Sequence, residues 1–469
     1  MSLYSFQPIH RSFLQHPGLP FADVLSEETI ARVAKDAGVP LADTSADDDI
    51  VYTPAVTLWA FLSQVLHQKA QRSCTAAVAR VVLLCVALGR EPCSSDTGAY
   101  CRARKRLPLV LVQRLTYHVA YAAEAKAPDA WLWKHKHVFL VDGTTVSAPD
   151  TPELQAKYPQ PSTQKRGVGF PLIRLVVLMS LATAMLNGMA MGPYAGKETG
   201  EPALFRQLLD RLKPGDVLLA DRYFCSYFMV ALLQDRKIDC VMRLHQRRKT
   251  DFTRGRQLGH GDHVVQWHRP KRPEWMDQAM YDRMPASIEV REVHVDVKKP
   301  GFRVDSLVVV TTLTDATTYT QEDLATLYRQ RWHVELDIEA LKITLGMDVL
   351  RCKTPEMVEK EIWVCLLAYN VIRQVALQAA LEAELLPRQI SFAAAMQAIA
   401  ASWMTILCLD EEKTCRLIAA YLSGIASHQV GDRPDRVEPR AIKRRPKPHR
   451  LMKEPRKAAK AKLTNPVAA

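Results

Sequence analysis

Two short apolar runs, each closed by an aspartate, constrain the fold of this chain most. HVFLVDGTTV (137–146) and DVLLADRYF (216–224) read as buried strands with Asp142 and Asp221 at their ends. Strands of an open α/β sheet deliver their terminal side chains to one edge, so two such aspartates can meet. Between them, 172–182 and 185–193 read as two paired strands within the apolar run Leu175 to Pro193. Asn187-Gly188 is a strong hairpin turn signal there, which argues against a membrane span. Glu201–Leu212 fits a helix closed by Pro214-Gly215, Cys225–Gln234 a second helix, and Ile238–Leu244 a further strand.

The flanks have another character. Residues 1–130 read as helical, with apolar residues at helical spacing over Pro54–Leu66 and Ala76–Leu88 and Thr53 as an N-cap. Cys93–Pro108 offers Ser94, Ser95 and Asp96 as caps before the basic cluster Arg102, Arg104, Lys105 and Arg106. That cluster is either a phosphate-contacting helix or a solvated basic face. Residues 245–303 are polar and basic, then alternating, and read as a mostly β insertion before the strand Ser306–Leu313. A long helix is expected from about Gln321, and further helices over Pro355–Leu385 and Phe392–Ser423. The chain then divides into a helical region 1–130, an α/β core 131–350 holding the insertion, a helical region 351–427 and a basic tail 428–469.

Charge narrows the partners. Formal net charge is +13, and His428 to Ala469 carries thirteen Lys and Arg against four Asp and Glu. So basic a chain suits nucleic acid or an anionic surface. The Pro-, Lys- and Arg-rich tail is expected to be extended until it binds something. Ten cysteines without a CxxC pair, mostly among apolar residues, read as free thiols in a reducing compartment such as the cytoplasm. The first residues, MSLYSFQPIHRSF, lack the apolar segment of a signal peptide.

Chemistry concentrates in LYRQRWHVELDIEALKITL (327–345). At about 100° per residue, Tyr328, Arg331, Glu335 and Lys342 share an arc of roughly 60° on one helix face. A solvated face stitched by Arg331 and Glu335 at i,i+4 would look the same locally. The two upstream aspartates distinguish the readings. Asp142, Asp221 and Glu335 would be three hard oxygen donors, which repel one another without a divalent cation. Magnesium suits them, with manganese able to replace it. A pair of such ions activates water on one side and stabilises a leaving 3′ oxygen on the other, and the nearby Arg and Lys suit a phosphodiester. His135 with His137, and His260 with His263, read as surface pairs rather than metal ligands. Glu339, one turn beyond Glu335, is a rival third carboxylate. Gly196-Lys197 is no phosphate loop, because Met191 stands where the first glycine should be.

The element order, a strand, an antiparallel pair, a helix, a strand, a helix and a strand, is that of the ribonuclease-H-like fold. With Asp142 in FLVDGTTV, Asp221 in LLADRYF and Tyr328-x2-Arg331-x3-Glu335-x6-Lys342, the chain resembles the DDE transposases of insertion sequence family four. That family is marked by a Tyr-Arg-Glu-Lys signature. The resemblance runs from TGAYCRARKRLP near residue 100 into the tail. It implies a ribonuclease-H-like catalytic core, with two magnesium ions held by Asp142, Asp221 and Glu335. Tyr328, Arg331 and Lys342 would contact DNA phosphates near the terminal inverted repeat. An insertion-domain tryptophan would stack on a flipped base; Trp267 is the candidate, with Trp275 and Trp332 competing. It further implies cut-and-paste transposition into target DNA through a hairpin, by a cytoplasmic, nucleoid-associated homodimer with no membrane partner. A nuclease of the same fold, or a non-catalytic DNA-binding repressor, are the alternatives; the complete signature argues against the repressor.

Truncation after Asp432 is expected to weaken binding to element ends and to random DNA equally, and to flatten the salt dependence. A selective loss on element ends in a titration of both DNAs would contradict a non-specific role for the tail.

Overall fold

Hydroxyl and carboxylate caps set the helix starts, among them the expected Thr53. Thr53 accepts from the Val56 amide to open Pro54–Leu66, and Ser73 accepts from Ala76 to open Cys74–Ala87. Thr320 and Asp323 form a reciprocal capping box at the head of Gln321–Arg329. The computed structural model describes residues 3–16, 18–39, 50–297, 306–431 and 451–464. Its chain divides into two compact units.

The first unit comprises Met1–His135, Met179–Gly188 and Leu336–Gly431. Its axis is the helix Pro355–Glu382, which packs against Pro54–Leu66, Leu109–Ala125, Phe392–Ser402 and Glu411–Ser427. By length and composition that helix is apolar enough to cross a membrane, yet it is buried almost throughout within the protein. Polar groups inside this unit are paired, as burial demands. Asp337 receives Arg373 at 3.0 Å and Arg388 at 2.9 Å, and the Asn370 side chain bonds both the amide and the carbonyl of Leu186. Phe392–Ser423, expected as one helix, is two, because a 3₁₀ turn at Thr405–Cys408 separates Phe392–Ser402 from Glu411–Ser427.

The second unit comprises Lys136–Leu178, Met189–Glu335 and Asp432–Ala469. It is built on a nine-stranded mixed sheet. In chain order the strands are β1 (Val138–Ser147), β2 (Leu172–Ser180), β3 (Leu186–Pro193), β4 (Val217–Ala220), β5 (Asp239–Arg243), β6 (Arg256–Gly259), β7 (Asp262–His268), β8 (Ser287–Asp296) and β9 (Ser306–Thr311). Their spatial order is β3-β2-β1-β4-β5-β9-β8-β7-β6. β1, β4 and β5 run parallel, and β9, β8, β7 and β6 continue antiparallel from β5. Helices Glu201–Arg206 and Tyr227–Asp235 bury Leu204, Phe205, Val230 and Leu233 in one core with Phe139, Val141, Leu218 and Cys240.

Several expectations need correction. The β2–β3 turn lies at Leu181–Thr183, with Ala184 in the left-handed region at φ 56°, and Asn187-Gly188 lies inside β3. Asn187 is buried there, so packing has overridden its local turn preference. In the 245–303 region, β6, β7 and β8 extend the sheet beyond β5 and are joined to it through β9. The helix expected from Gln321 is broken by a 3₁₀ turn at Gln330–Trp332 and a π turn at Ala340–Thr344. Part of the tail lies outside the described residues; of the rest, Arg456–Thr464 is helical. Within Cys93–Pro108 the helix is Gly98–Arg106, and Asp96 accepts from the Gly98 amide. All ten cysteines are free thiols, five of them buried.

The antiparallel half of the sheet holds a buried ion pair. Arg291 is fully buried, donates to both Asp262 oxygens at 2.8 and 2.5 Å, and also bonds the Tyr319 carbonyl. Arg291→Met strands the Asp262 carboxylate and should cost about 3–5 kcal/mol in urea unfolding. Adding Asp262→Leu should recover most of that loss. A single-variant cost below about 1 kcal/mol would show that the pair does not hold the strands.

Candidate active site

The register of β1 on β4 places the two aspartates. Val138, Phe139 and Leu140 pair with Val217, Leu218 and Leu219. Asp142 and Asp221 each stand two residues beyond the last pair, at one level of the sheet. β1 itself continues to Ser147, so Asp142 lies within the strand, past its β4-paired stretch and not at its terminus. Its Oδ1 accepts from the Gly143 amide at 2.8 Å, and Asp221 Oδ1 accepts from the Tyr223 amide at 2.7 Å.

Arg331 and Glu335 come to the same place from the helical segment that follows β9. Arg331 Nη2 donates to Glu335 Oε1 at 2.6 Å, and Nη1 lies 3.7 Å from Asp142 Oδ2. The guanidinium therefore stands between two of the predicted carboxylates. Burial alone would lower the Arg331 pKa, but the Glu335 bond with the Tyr328 and Asp142 charges outweighs it and raises the pKa. Asp142 moves the other way from most ion-paired carboxylates. Burial pushes it up to about 6, the Gly143 bond and Arg331 oppose that, and the charges of Asp221 and Glu201 add to it. Tyr328 is 9% exposed and burial pushes its phenol up to about 12, so it stays protonated.

The donor type fits a hard divalent cation: carboxylates on β1, just past β4 and on the helical segment after β9, two of them bridged by Arg331. Among the described residues, no three carboxylates, histidines or cysteines are yet gathered closely enough to share one ion. A cation and Arg331 would compete for the same oxygens.

Trp267, expected to present its ring to a flipped base, does not reach the surface. It is 4% exposed, its indole N–H donates to Glu292 at 2.9 Å, and the Arg248 guanidinium covers its ring at 3.9 Å. Of its competitors, Trp275 lies under Arg206 at 3.8 Å, whereas Trp332, next to Arg331, is 53% exposed. His263 also proves to be interior: it is fully buried and meets Glu292 and the Arg254 carbonyl. Lys342 is half-buried and Glu339 exposed, both in the first unit. In the basic cluster Arg104 is buried against Phe61 and Tyr100 and bonds Gln64, which removes it from any surface contact, while Arg102, Lys105 and Arg106 are exposed.

Sequence reasoning missed Glu201. Built on Gly143, a Cβ would fall 2.3 Å from the Glu201 carboxyl carbon. No spacing in the sequence marks it.

The family described as the transposase DDE domain matches residues 133–371. The transposase InsG of insertion sequence element IS4, from Escherichia coli K12, is 26% identical over 440 residues, spanning 92% of this chain and 93% of that protein. The putative transposase InsZ of the same organism is 29% identical over 140 residues, 30% of this chain and 46% of its own length. Among solved structures, a piggyBac transposase synaptic complex with hairpin DNA covers 86% of this chain and 84% of its own, at 11% identity and a TM-score of 0.41.

The Asp142 pKa gives a stability signature in chelated, metal-free protein. Its folded value, about 6, lies above the ordinary 3.8, so the native state binds more protons between the two. That contribution is full below pH 4 and is lost as pH rises through 6. Asp142→Asn should therefore match wild type near pH 4 and exceed its unfolding free energy by about 3 kcal/mol above pH 7. A difference that does not vary with pH in urea titrations would contradict the assignment.

Proposed function

This chain belongs to the transposase DDE-domain family and is a DNA-cleaving transposase, and from that premise we propose that Asp142, Asp221 and Glu335 form its reaction centre. The observation that carries the reading is Arg331 spanning Asp142 and Glu335, with Asp221 level with Asp142 on the adjacent strand. A helix face stitched only for solubility has no reason to reach a half-buried strand aspartate. The strand order β3-β2-β1-β4-β5 and the helix carrying Glu335 support a ribonuclease-H-like core.

Enzymes of this family use divalent metal ions, and the proposed ions are two magnesiums held by the three carboxylates. When bound they supply the charge that generates a hydroxide nucleophile and stabilises the leaving 3′ oxygen. The protein's own groups do the rest. Asp142 and Asp221, fixed by strand register, set the position of the scissile phosphate relative to the sheet edge. Arg331, released from Glu335, turns its fork to a phosphate, a geometry guanidinium matches bidentately. Tyr328, protonated at neutral pH, donates to a phosphate oxygen, and Lys342 adds a further phosphate contact. Water attack frees a 3′ hydroxyl at the element end, its attack on the opposite strand closes a hairpin, and the reopened end attacks target DNA. Each step is an in-line displacement at phosphorus, so a single centre serves all three. A homodimer would hold two terminal repeats together.

With Trp267 covered, Trp332 is the tryptophan we assign to an extruded base. Its indole is exposed and adjoins Arg331, so a base leaving the duplex beside the bound phosphate would meet it.

The test is cleavage and strand transfer on the element's own end, with magnesium, for wild type and Glu335→Gln. The variant should lose at least about a hundredfold in both reactions and still bind DNA. A hairpin should run as one covalently joined strand on a denaturing gel. A Glu335→Gln protein that cuts like wild type would remove Glu335 from the centre and turn attention to Glu339.

A further inference from the structure

Arg104 carries a buried charge that no acid of the chain answers. It lies on the helix Gly98–Arg106, is 9% exposed, and has the Phe61 and Tyr100 rings 5.0 and 5.1 Å from its guanidinium carbon. Its one side-chain hydrogen bond runs from Nη1 to the neutral Gln64 Oε1 at 3.2 Å. Nε is out of contact with water and has no acceptor among the described residues. Burying a cation without a counter-ion is costly. Burial pushes the Tyr100 phenol and the Cys74 and Cys352 thiols up, so these neighbours stay protonated and supply no negative charge.

Closed to the open surface, Arg104 instead lines a cavity of about 440 Å³ within the first unit. That volume is at the lower end of the range for small-molecule sites. The same cavity gathers Arg72, Lys105, Arg351 and Lys353 against one acid, Glu361. Glu361 is already engaged: it faces Arg72 at 3.5 Å and accepts from the Arg351 and Cys352 amides at 2.9 and 2.8 Å. With Arg72 matched to Glu361, four cations remain, Arg104 buried and Lys105, Arg351 and Lys353 exposed.

Such a lining fits a compact oxyanion, since a guanidinium fork matches phosphate and an ammonium adds a point charge. A phosphodiester inside a duplex carries an ester arm on each side and lies on a convex backbone, where exposed cations meet it. A guanidinium buried in a concavity suits a phosphate at the end of a chain, with three free oxygens and close to two charges at pH 7. We propose that this cavity binds a phosphomonoester, either of a free nucleotide or of a 5′-phosphorylated DNA strand end, with Arg104 as its inner ligand and Arg351 and Lys353 at its mouth. The inference does not rest on the metal-centre reading, because Asp142, Asp221 and Glu335 do not line the cavity.

The experiment measures binding to the full chain in chelator, so that no divalent metal contributes. The probes are adenosine 5′-monophosphate against adenosine, and one short single-stranded oligonucleotide with a 5′-phosphate against the same strand with a 5′-hydroxyl. Each comparison subtracts contacts made elsewhere by base, sugar and internal phosphates. Wild type should prefer the terminal phosphate by about tenfold or more. Arg104→Gln should erase that preference, and Arg104→Lys should keep part of it. Arg351→Ala with Lys353→Ala, at exposed positions, should also reduce it and gives a second reading if thermal melts show an Arg104 variant to be unfolded. Arg106→Ala, exposed on the same helix but outside the cavity, should leave it unchanged. A preference confined to the monophosphate identifies a free nucleotide, one confined to the strand identifies a DNA end, and one seen with both supports the site for either. Equal binding of phosphorylated and unphosphorylated probes by wild type would overturn the proposal. So would a preference that survives in folded Arg104→Gln, or in the Arg351→Ala, Lys353→Ala protein where Arg104→Gln does not fold.

Discussion

Neighbouring parallel strands run about 4.8 Å apart, so two aspartates at equal offsets past a registered pair cannot avoid each other. Asp142 and Asp221 are in that position because three consecutive β1–β4 pairs fix it. Like charges so placed repel, and the Asp221 charge adds to the upward pressure on Asp142. Burial on the sheet adds a desolvation cost, which is why Asp142 is held near 6. Arg331 offsets part of this by standing against Asp142 and Glu335 together. A fold that keeps such a cluster tolerates a local instability that a well-packed apolar edge would lack, the pattern expected where function sets the residue choice.

The same electrostatic demand explains the far half of the sheet differently. There the buried charges are matched inside the protein. Arg291 closes on Asp262, and Glu292 receives both Trp267 and His263. Each strand from β9 to β6 extends hydrogen bonding begun at β5. Trp267 then serves as core, its polar N–H satisfied and its face covered by Arg248, which leaves no room for a nucleobase. Burial of an indole with a satisfied N–H is the common outcome for tryptophan, and the alternating sequence of β7 places Trp267 on the inward side.

Legibility follows the range of the forces. Local signals held: Thr53 caps the helix it precedes, and the apolar runs around Phe139 and Leu218 are strands because nothing else buries four consecutive apolar residues so simply. The Arg331–Glu335 bond was readable as an i,i+4 pair. What failed depended on tertiary context. Asn187-Gly188 carries the strongest turn chemistry in its neighbourhood, yet burial of Asn187 within β3 outweighs it. A uniform helical phase from Tyr328 to Lys342 ignored the 3₁₀ and π turns, whose altered hydrogen bonding no composition signals. Glu201 is 59 residues from Asp142 in sequence, and only the packing of its helix on β1 brings it to Gly143. Arg104 and His263 look like surface charge in a sequence because their partners, Gln64 and Glu292, are distant along the chain.

The position of Arg331 ties two binding events together on the proposed reading. Its guanidinium and a divalent cation are alternatives for the oxygens of Asp142 and Glu335, since both are cationic and both need the same lone pairs. A phosphate offers Arg331 a substitute partner of matching geometry. DNA that draws Arg331 away leaves Asp142 and Glu335 uncompensated, which strengthens their attraction for the cation. By linkage, bound cation must favour DNA to the same extent. Empty of DNA, the centre is partly neutralised by its own arginine, and metal affinity is lower than three exposed carboxylates would give. On that reading, loading of the ions would be favoured when a phosphodiester is present, through one side chain whose two contacts are of unequal length, 2.6 Å to Glu335 and 3.7 Å to Asp142. The longer contact is the weaker one, so the Asp142 side of the centre is where a cation displaces least on entering.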